Sequence, residues 1–110
     1  MNINTSVEEK ATVVSISGRM DAESSPEFEK TCGALIDGGA NTLVVDLAGL
    51  DYVSSAGLRS FLVIAKTLQS KGGKLIISGM RGLVKEVFKM THLNAVFPVH
   101  DTREQALASL

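Results

Sequence analysis

A chain of 110 residues, 45% apolar and 21% charged, has the length of one domain and the composition of a globular protein. Disorder would need fewer aliphatic residues and a larger net charge than −1. The eleven Lys/Arg are scattered, Tyr52 is the one tyrosine and Trp is absent, so no basic stripe or base-stacking platform suits nucleic acid.

The elements alternate along the chain. Ala11–Ser17 reads as a strand closed by Gly18, with residues 3–8 as its hairpin partner across Glu8-Glu9-Lys10. A helix follows, with Ser25 as cap and Pro26 in the first helical position, where its missing N–H costs nothing. Phe28, Cys32, Leu35 and Ile36 recur on it at helical spacing, and Gly38-Gly39 stops it.

Thr42–Leu47 is almost continuously apolar, as expected of a central strand covered on both faces. After a short excursion to Ser54-Ser55, an amphipathic helix carries Leu58, Phe61, Leu62, Ala65 and Leu68 on one face and ends at Lys71-Gly72-Gly73. Lys74–Ser78 is a further buried strand, and Arg81–Met90 a helix with Leu83, Val84, Val87 and Phe88 inward. Ala95–Val99 forms a last strand and Thr102–Leu110 a closing helix capped by Thr102. The order β-β-α-β-α-β-α-β-α requires right-handed crossovers and predicts one α/β domain over residues 1–110, with amphipathic helices on a mixed, mostly parallel sheet.

Cys32 alone can make neither an internal disulfide nor a cysteine metal cage, and a buried helical thiol is its expected role. Residues 1–5 lack the character of a signal peptide, and no apolar run approaches the about 20 residues of a membrane span. The expectation is a cytoplasmic protein with no direct membrane insertion. Metal and nucleotide motifs are missing: there is no H-E-x-x-H, no acidic calcium loop and no P-loop, so no cofactor is expected.

The informative stretch is Asp46 to Leu58, where a core strand gives way to Ser54-Ser55-Ala56-Gly57 at a helix start. Helix N-termini carry unpaired N–H groups and partial positive charge, so they accept anions. Ser54 is the natural cap and Ser55 the first helical residue, its hydroxyl at the positive pole. A serine here needs no role beyond capping, worth about 1 kcal/mol, yet one cap suffices for one helix. Ala56 and Gly57 are small enough for a partner to approach closely. A Ser-His-Asp hydrolase is the rival from another class, but Val53 and Gly57 do not frame Ser55 as a nucleophile elbow, and His92 and His100 sit far along the chain as surface or capping residues.

Three stretches together resemble the STAS domain family (sulfate transporter and anti-sigma-factor antagonist), in particular its free-standing bacterial antagonists. Gly18-Arg19-Met20-Asp21 is similar to the family's G-x-(L/M)-D. Asp46-Leu47 through Ser54-Ser55-Ala56-Gly57-Leu58 is similar to its strand followed by D-S-(S/T)-G-L. Gly72-Gly73, then Val84 through Phe88 to Leu93, is similar to its final strand and helix, so the likeness covers about residues 3–108.

The resemblance implies a non-enzymatic regulator that works by partner switching. Its phosphoacceptor is Ser55, two places before Gly57, and its kinase is a serine-protein kinase and anti-sigma factor of the ATP-binding type. A metal-dependent, PP2C-like phosphatase resets it. Asp21, Met20, Ser54, Ala56, Gly57, Leu58 and Arg59 are the implied partner-binding residues. Two departures from the pattern stand out: Ser54 replaces the usual acidic residue and becomes a second-choice phosphosite, and Ala56 replaces a usual Ser or Thr. The alternative within the family is an unphosphorylated accessory subunit of a membrane transport or other signalling complex. Outside the resemblance, Asp21 reads as a turn residue bonding its own backbone, and Met20 beside it as either an exposed contact or a core gap-filler. Asp46 either ends a buried strand or orients the serine turn, and Arg19 and Arg59 are solvated.

Overall fold

A computed structural model describes residues 1–110. Strands β1 (Asn2–Val7) and β2 (Thr12–Met20) form an antiparallel hairpin, and helix α1 (Ser25–Asp37) leads to β3 (Thr42–Val53). Helix α2 (Ser55–Ser70), β4 (Lys74–Ser78) and α3 (Gly82–Met90) follow. A 3-10 turn (Leu93–Ala95), β5 (Val99–His100) and α4 (Arg103–Ala108) complete the chain. The sheet has five strands in the order β1-β2-β3-β4-β5, parallel throughout except at β1. The expected mixed α/β architecture and its element order are present. No helix is long and apolar enough to cross a membrane.

Residues 43–47 of β3 are all buried, as the apolar run predicts. Their alternation divides two cores. Leu43, Val45 and Leu47 join the main core under α1, α2 and α3, while Val44 joins Ala11, Val13, Ile76 and Ala106 beneath α4. Phenylalanines run through the main core: Phe28 of α1 lies edge to face with Phe61 of α2 at 5.0 Å, and Phe61 edge to face with Phe88 of α3 at 5.6 Å. Phe97 extends the row at 6.4 Å from Phe88.

Asp46 does not end β3 and makes no hydrogen bond to the serine turn. It points to the α4 side, where its Oδ2 accepts from Arg103 Nε (3.2 Å) and Nη2 (3.0 Å), and its Oδ1 accepts from the Ala48 N–H. Arg103 also donates to Ser15 Oγ, so α4 is tied to two adjacent strands. The carboxylate thus satisfies its burial with a charged fork and a backbone amide.

Several boundaries differ from expectation. β2 runs through Gly18 to Met20, because Gly18 adopts φ +88° inside a strand irregularity and does not end the strand. β3 likewise continues to Val53, so there is no excursion before the serines. Within β3, β4 pairs only with Thr42–Asp46, β1 leaves β2 at Ser17, and beyond that β2 and β3 project as a two-stranded ribbon from Gly18 and Leu50 to Met20 and Val53. α1 starts at Ser25, whose hydroxyl is buried and donates to the Asp21 carbonyl, and Pro26 is the second helical residue. Leu83 is 56% exposed, since the inward face of α3 is set by Val84 and Phe88, one turn apart. β5 is only Val99–His100, because residues 93–95 take a 3-10 turn and Pro98 lends its carbonyl to Ile77 but has no N–H to continue a ladder. Thr102 caps α4 as expected, accepting from the Gln105 N–H at 3.1 Å.

Cys32 is fully buried in the main core, and burial pushes its thiol up from 9.0 to about 12. The folded value exceeds the unfolded one, so the stability gained from keeping the thiol neutral is complete below pH 9.0 and is lost as pH rises toward about 12. At pH 8 a disulfide-exchange reagent should leave native Cys32 unlabelled over hours and label it rapidly in denaturant. Fast labelling of the native protein would contradict this burial.

Candidate functional site

The site is built where the β2–β3 ribbon meets α2. Ser54 ends the ribbon in an extended conformation and its N–H donates to the Met20 carbonyl at 2.9 Å. Its hydroxyl oxygen turns onto the helix and accepts from the Gly57 N–H at 3.1 Å. Ser54 is therefore the cap expected from the sequence, and it is half-buried with its oxygen engaged. Ser55 is the first residue of α2, exposed, with a hydroxyl that takes part in no hydrogen bond within the protein. The cap takes the Gly57 amide, and the amides of Ser55 and Ala56 precede the helical ladder, which concentrates partial positive charge beside that hydroxyl.

Gly57 has a different task from the one its size suggested. It is buried, and a Cβ there would meet Val53 Cγ2 at 2.8 Å and Met20 Cγ at 3.2 Å. Its missing side chain lets the first turn of α2 lie directly on the ribbon, so the close approach is internal. Met20 is wholly buried in the same contact and offers no surface to a partner; its side chain belongs to the core, and only its carbonyl serves the turn. Both residues lie beneath the exposed surface of the turn and form no part of it.

The Ser54–Met20 bond places Asp21 next to the serine turn. Asp21 Oδ1 accepts from the Ser24 N–H (2.9 Å), the Ser24 hydroxyl (3.0 Å) and the Glu23 N–H (3.1 Å), while Oδ2 accepts nothing within the protein. The turn reading accounts for Oδ1 and leaves Oδ2 without a partner within the protein. The bonds from the Ser24 amide and hydroxyl hold the Asp21 carboxyl below its ordinary range, so this end of the face stays anionic.

Around the turn, Ala56 and Leu58 are half-buried and Arg59 is exposed. Ala56, Arg59 and Val63 of α2 face Ala22, Pro26 and Glu29 across a shallow groove, whose base is tied by a 2.6 Å bond from the buried Ser60 hydroxyl to Glu29 Oε2. Ser60 and Glu29 were not singled out in the sequence, because a serine and a glutamate on separate helices, 31 positions apart, give no local signal. Arg19 is stacked over the Tyr52 ring at 4.2 Å on the ribbon and is not simply solvated. The histidines stand apart from the serine turn: His100 is on β5, two strands from β3, and His92 follows α3 in a left-handed conformation with φ 61°. No cluster of His, Cys, Asp or Glu suited to a metal ion is present.

The chain is similar to known proteins over most of its length. The profile of the STAS domain matches residues 2–106. The chain is 35% identical over 97 residues to BtrV of Bordetella bronchiseptica, a candidate anti-sigma factor antagonist, covering 88% of this chain and 84% of that one. It is 27% identical over 104 residues to the anti-sigma-B factor antagonist of Staphylococcus aureus, covering 94% and 96%. The crystal structure of an anti-sigma factor antagonist from Mycobacterium paratuberculosis superposes with a TM-score of 0.89 at 26% identity, over 98% of this chain and 92% of that one.

Replacing Gly57 with Ala should force the helix start away from Val53 and Met20 and cost about 1–3 kcal/mol, by analogy with overpacked cores. Thermal unfolding of Gly57→Ala measures this, and an unchanged Tm would mean that the turn has room to spare.

Proposed function

Because the chain belongs to the STAS domain family, we propose that it is an anti-sigma factor antagonist, a binding protein switched by phosphorylation of Ser55. Unphosphorylated, it binds a cognate serine-protein kinase and anti-sigma factor of the ATP-binding type, and so releases that protein's client. Phosphate on Ser55 dissolves the complex, and a PP2C-like phosphatase restores the binding form. The protein acts through contact and carries out no reaction of its own. Relatives named as antagonists, matching over most of their length, support the class of function.

The observation that carries the choice of residue is the division of labour between the two serines. Ser54 has its oxygen occupied by the cap, whereas the Ser55 hydroxyl is exposed and unbonded at the helix start. A phosphoserine carries about −1.5 to −2 charges, and the positive end of α2 accommodates that charge without cost to the fold. The same charge beside the Asp21 carboxylate makes the face strongly anionic and strongly hydrated. A partner that fits the neutral hydroxyl must then desolvate a dianion, so docking fails while the domain stays intact. Asp21 Oδ2, Ala56, Leu58 and Arg59 supply the docking contacts around Ser55, with the α1–α2 groove alongside.

Incubation with the cognate kinase and ATP, read by intact mass and peptide mapping, should place one phosphate on Ser55, and Ser55→Ala should abolish it. Ser55→Asp should weaken kinase binding in calorimetry by at least about tenfold with little change in Tm. Phosphate persisting on Ser54 in the Ser55→Ala protein would overturn the assignment. Unchanged affinity of Ser55→Asp would point instead to an accessory subunit that binds without switching.

A further inference from the structure

The ribbon that carries the serine turn has one unsupported edge. Past Asp46, β3 pairs with β2 through Met20 and Val53, but β4 has ended and no strand lies on the other side. Unpaired strand edges leave backbone groups to be satisfied otherwise and hold their shape poorly. Here the first N–H on that edge, Ala48, is taken by Asp46 Oδ1 at 3.1 Å. The Ala48 carbonyl is taken by Arg81 Nε at 2.5 Å, and Arg81 Nη2 reaches Asp51 Oδ1 at 2.9 Å. One guanidinium therefore spans Ala48 to Asp51, in the place that a longer β4 would fill.

Chain geometry delivers Arg81 there. Gly79 has φ +75°, and a Cβ on it would meet Asp46 Oδ1 at 2.7 Å and Ala48 N at 3.1 Å. Only glycine lets the chain leaving β4 pass this close to β3 before α3 begins. Arg81 then stands immediately before α3, whose packing on the core anchors the guanidinium's backbone. Arginine suits the position because its rigid fork serves two acceptors at once, while a lysine ammonium would serve one.

We infer that Arg81 is a positioning residue for Ser55, closing the free edge of β3 and so fixing the angle at which the turn is presented to its kinase. This rests on the reading of Ser55 as the phosphoacceptor. Both side chains of the Arg81–Asp51 pair are more than half exposed, at 56% and 63%, so the pair adds little to global stability. Its effect falls on the local order of Ala48 to Gly57. A loosened ribbon presents the docking-competent turn for a smaller fraction of the time, and apparent affinity drops by that fraction.

The test uses the full chain as wild type, Arg81→Gln, Arg81→Lys and Asp51→Asn. Amide hydrogen exchange should quicken from Gly49 to Gly57 in Arg81→Gln and stay unchanged in β4 and α1, with Tm lowered by less than about 4 °C. With the cognate kinase, KM for Arg81→Gln should rise by about tenfold while kcat stays within about twofold, and Arg81→Lys and Asp51→Asn should fall between it and wild type. Unchanged exchange in the ribbon would overturn the clamp, and so would a Tm loss large enough to mark Arg81 as a general stability residue. Faster exchange with an unaltered KM would overturn its link to Ser55. Wild-type protein that gains no phosphate on Ser55 would refute the proposed function, and the kinetic part of this inference with it, while the exchange data would still decide the clamp.

Discussion

The first turn of α2 is stitched to the β2–β3 ribbon, and the properties of the site follow from that contact. Ser54 bonds backward to the Met20 carbonyl and forward to the Gly57 amide, and Gly57 lies against Val53 and Met20 with no side chain between. These three contacts set the rotation of the helix about its axis. With Gly57 turned inward, helical geometry turns Ser55 outward, two residues and about 200° away. Exposure of the Ser55 hydroxyl is thus a consequence of packing beneath it.

The rest of the core holds that arrangement in place. Phe28, Phe61 and Phe88 link α1, α2 and α3 edge to face, so the helices that border the site are wedged against one another as well as against the sheet. On the opposite side α4 is held by a small apolar cluster and by the Arg103 fork to Asp46 and Ser15. The Arg103 anchor lies on the face away from Ser55, so a charge added at the serine turn does not meet the Arg103–Asp46–Ser15 network. A switch that leaves the fold intact depends on this separation.

The local patterns of the chain were legible where period and capping chemistry agree. Residues 43–47 read as a covered strand from their apolar run, and Ser54 and Thr102 as caps from their place ahead of periodic helices. The errors share a cause. Gly18 looked like a stop, yet a glycine inside a strand also permits an irregularity, and only the pairing partner decides between them. Met20 suits either an exposed contact or a gap in the core, and burial decides for the core because Gly57, 37 residues away in sequence, lies against it. Leu83 looked inward because apolar residues at 83, 84, 87 and 88 offer two overlapping helical stripes, of which the sheet selects one.

By itself the sequence determined the order of elements, the mixed sheet, the capped helix start and the pair of serines on it, because each depends on residues a few positions apart. The tertiary structure alone decided which serine is free, which side of Asp21 faces outward, and that Arg81 and Asp51 meet at the edge of β3. Those outcomes depend on strand register and on close approaches between distant segments, which no periodicity within one segment encodes.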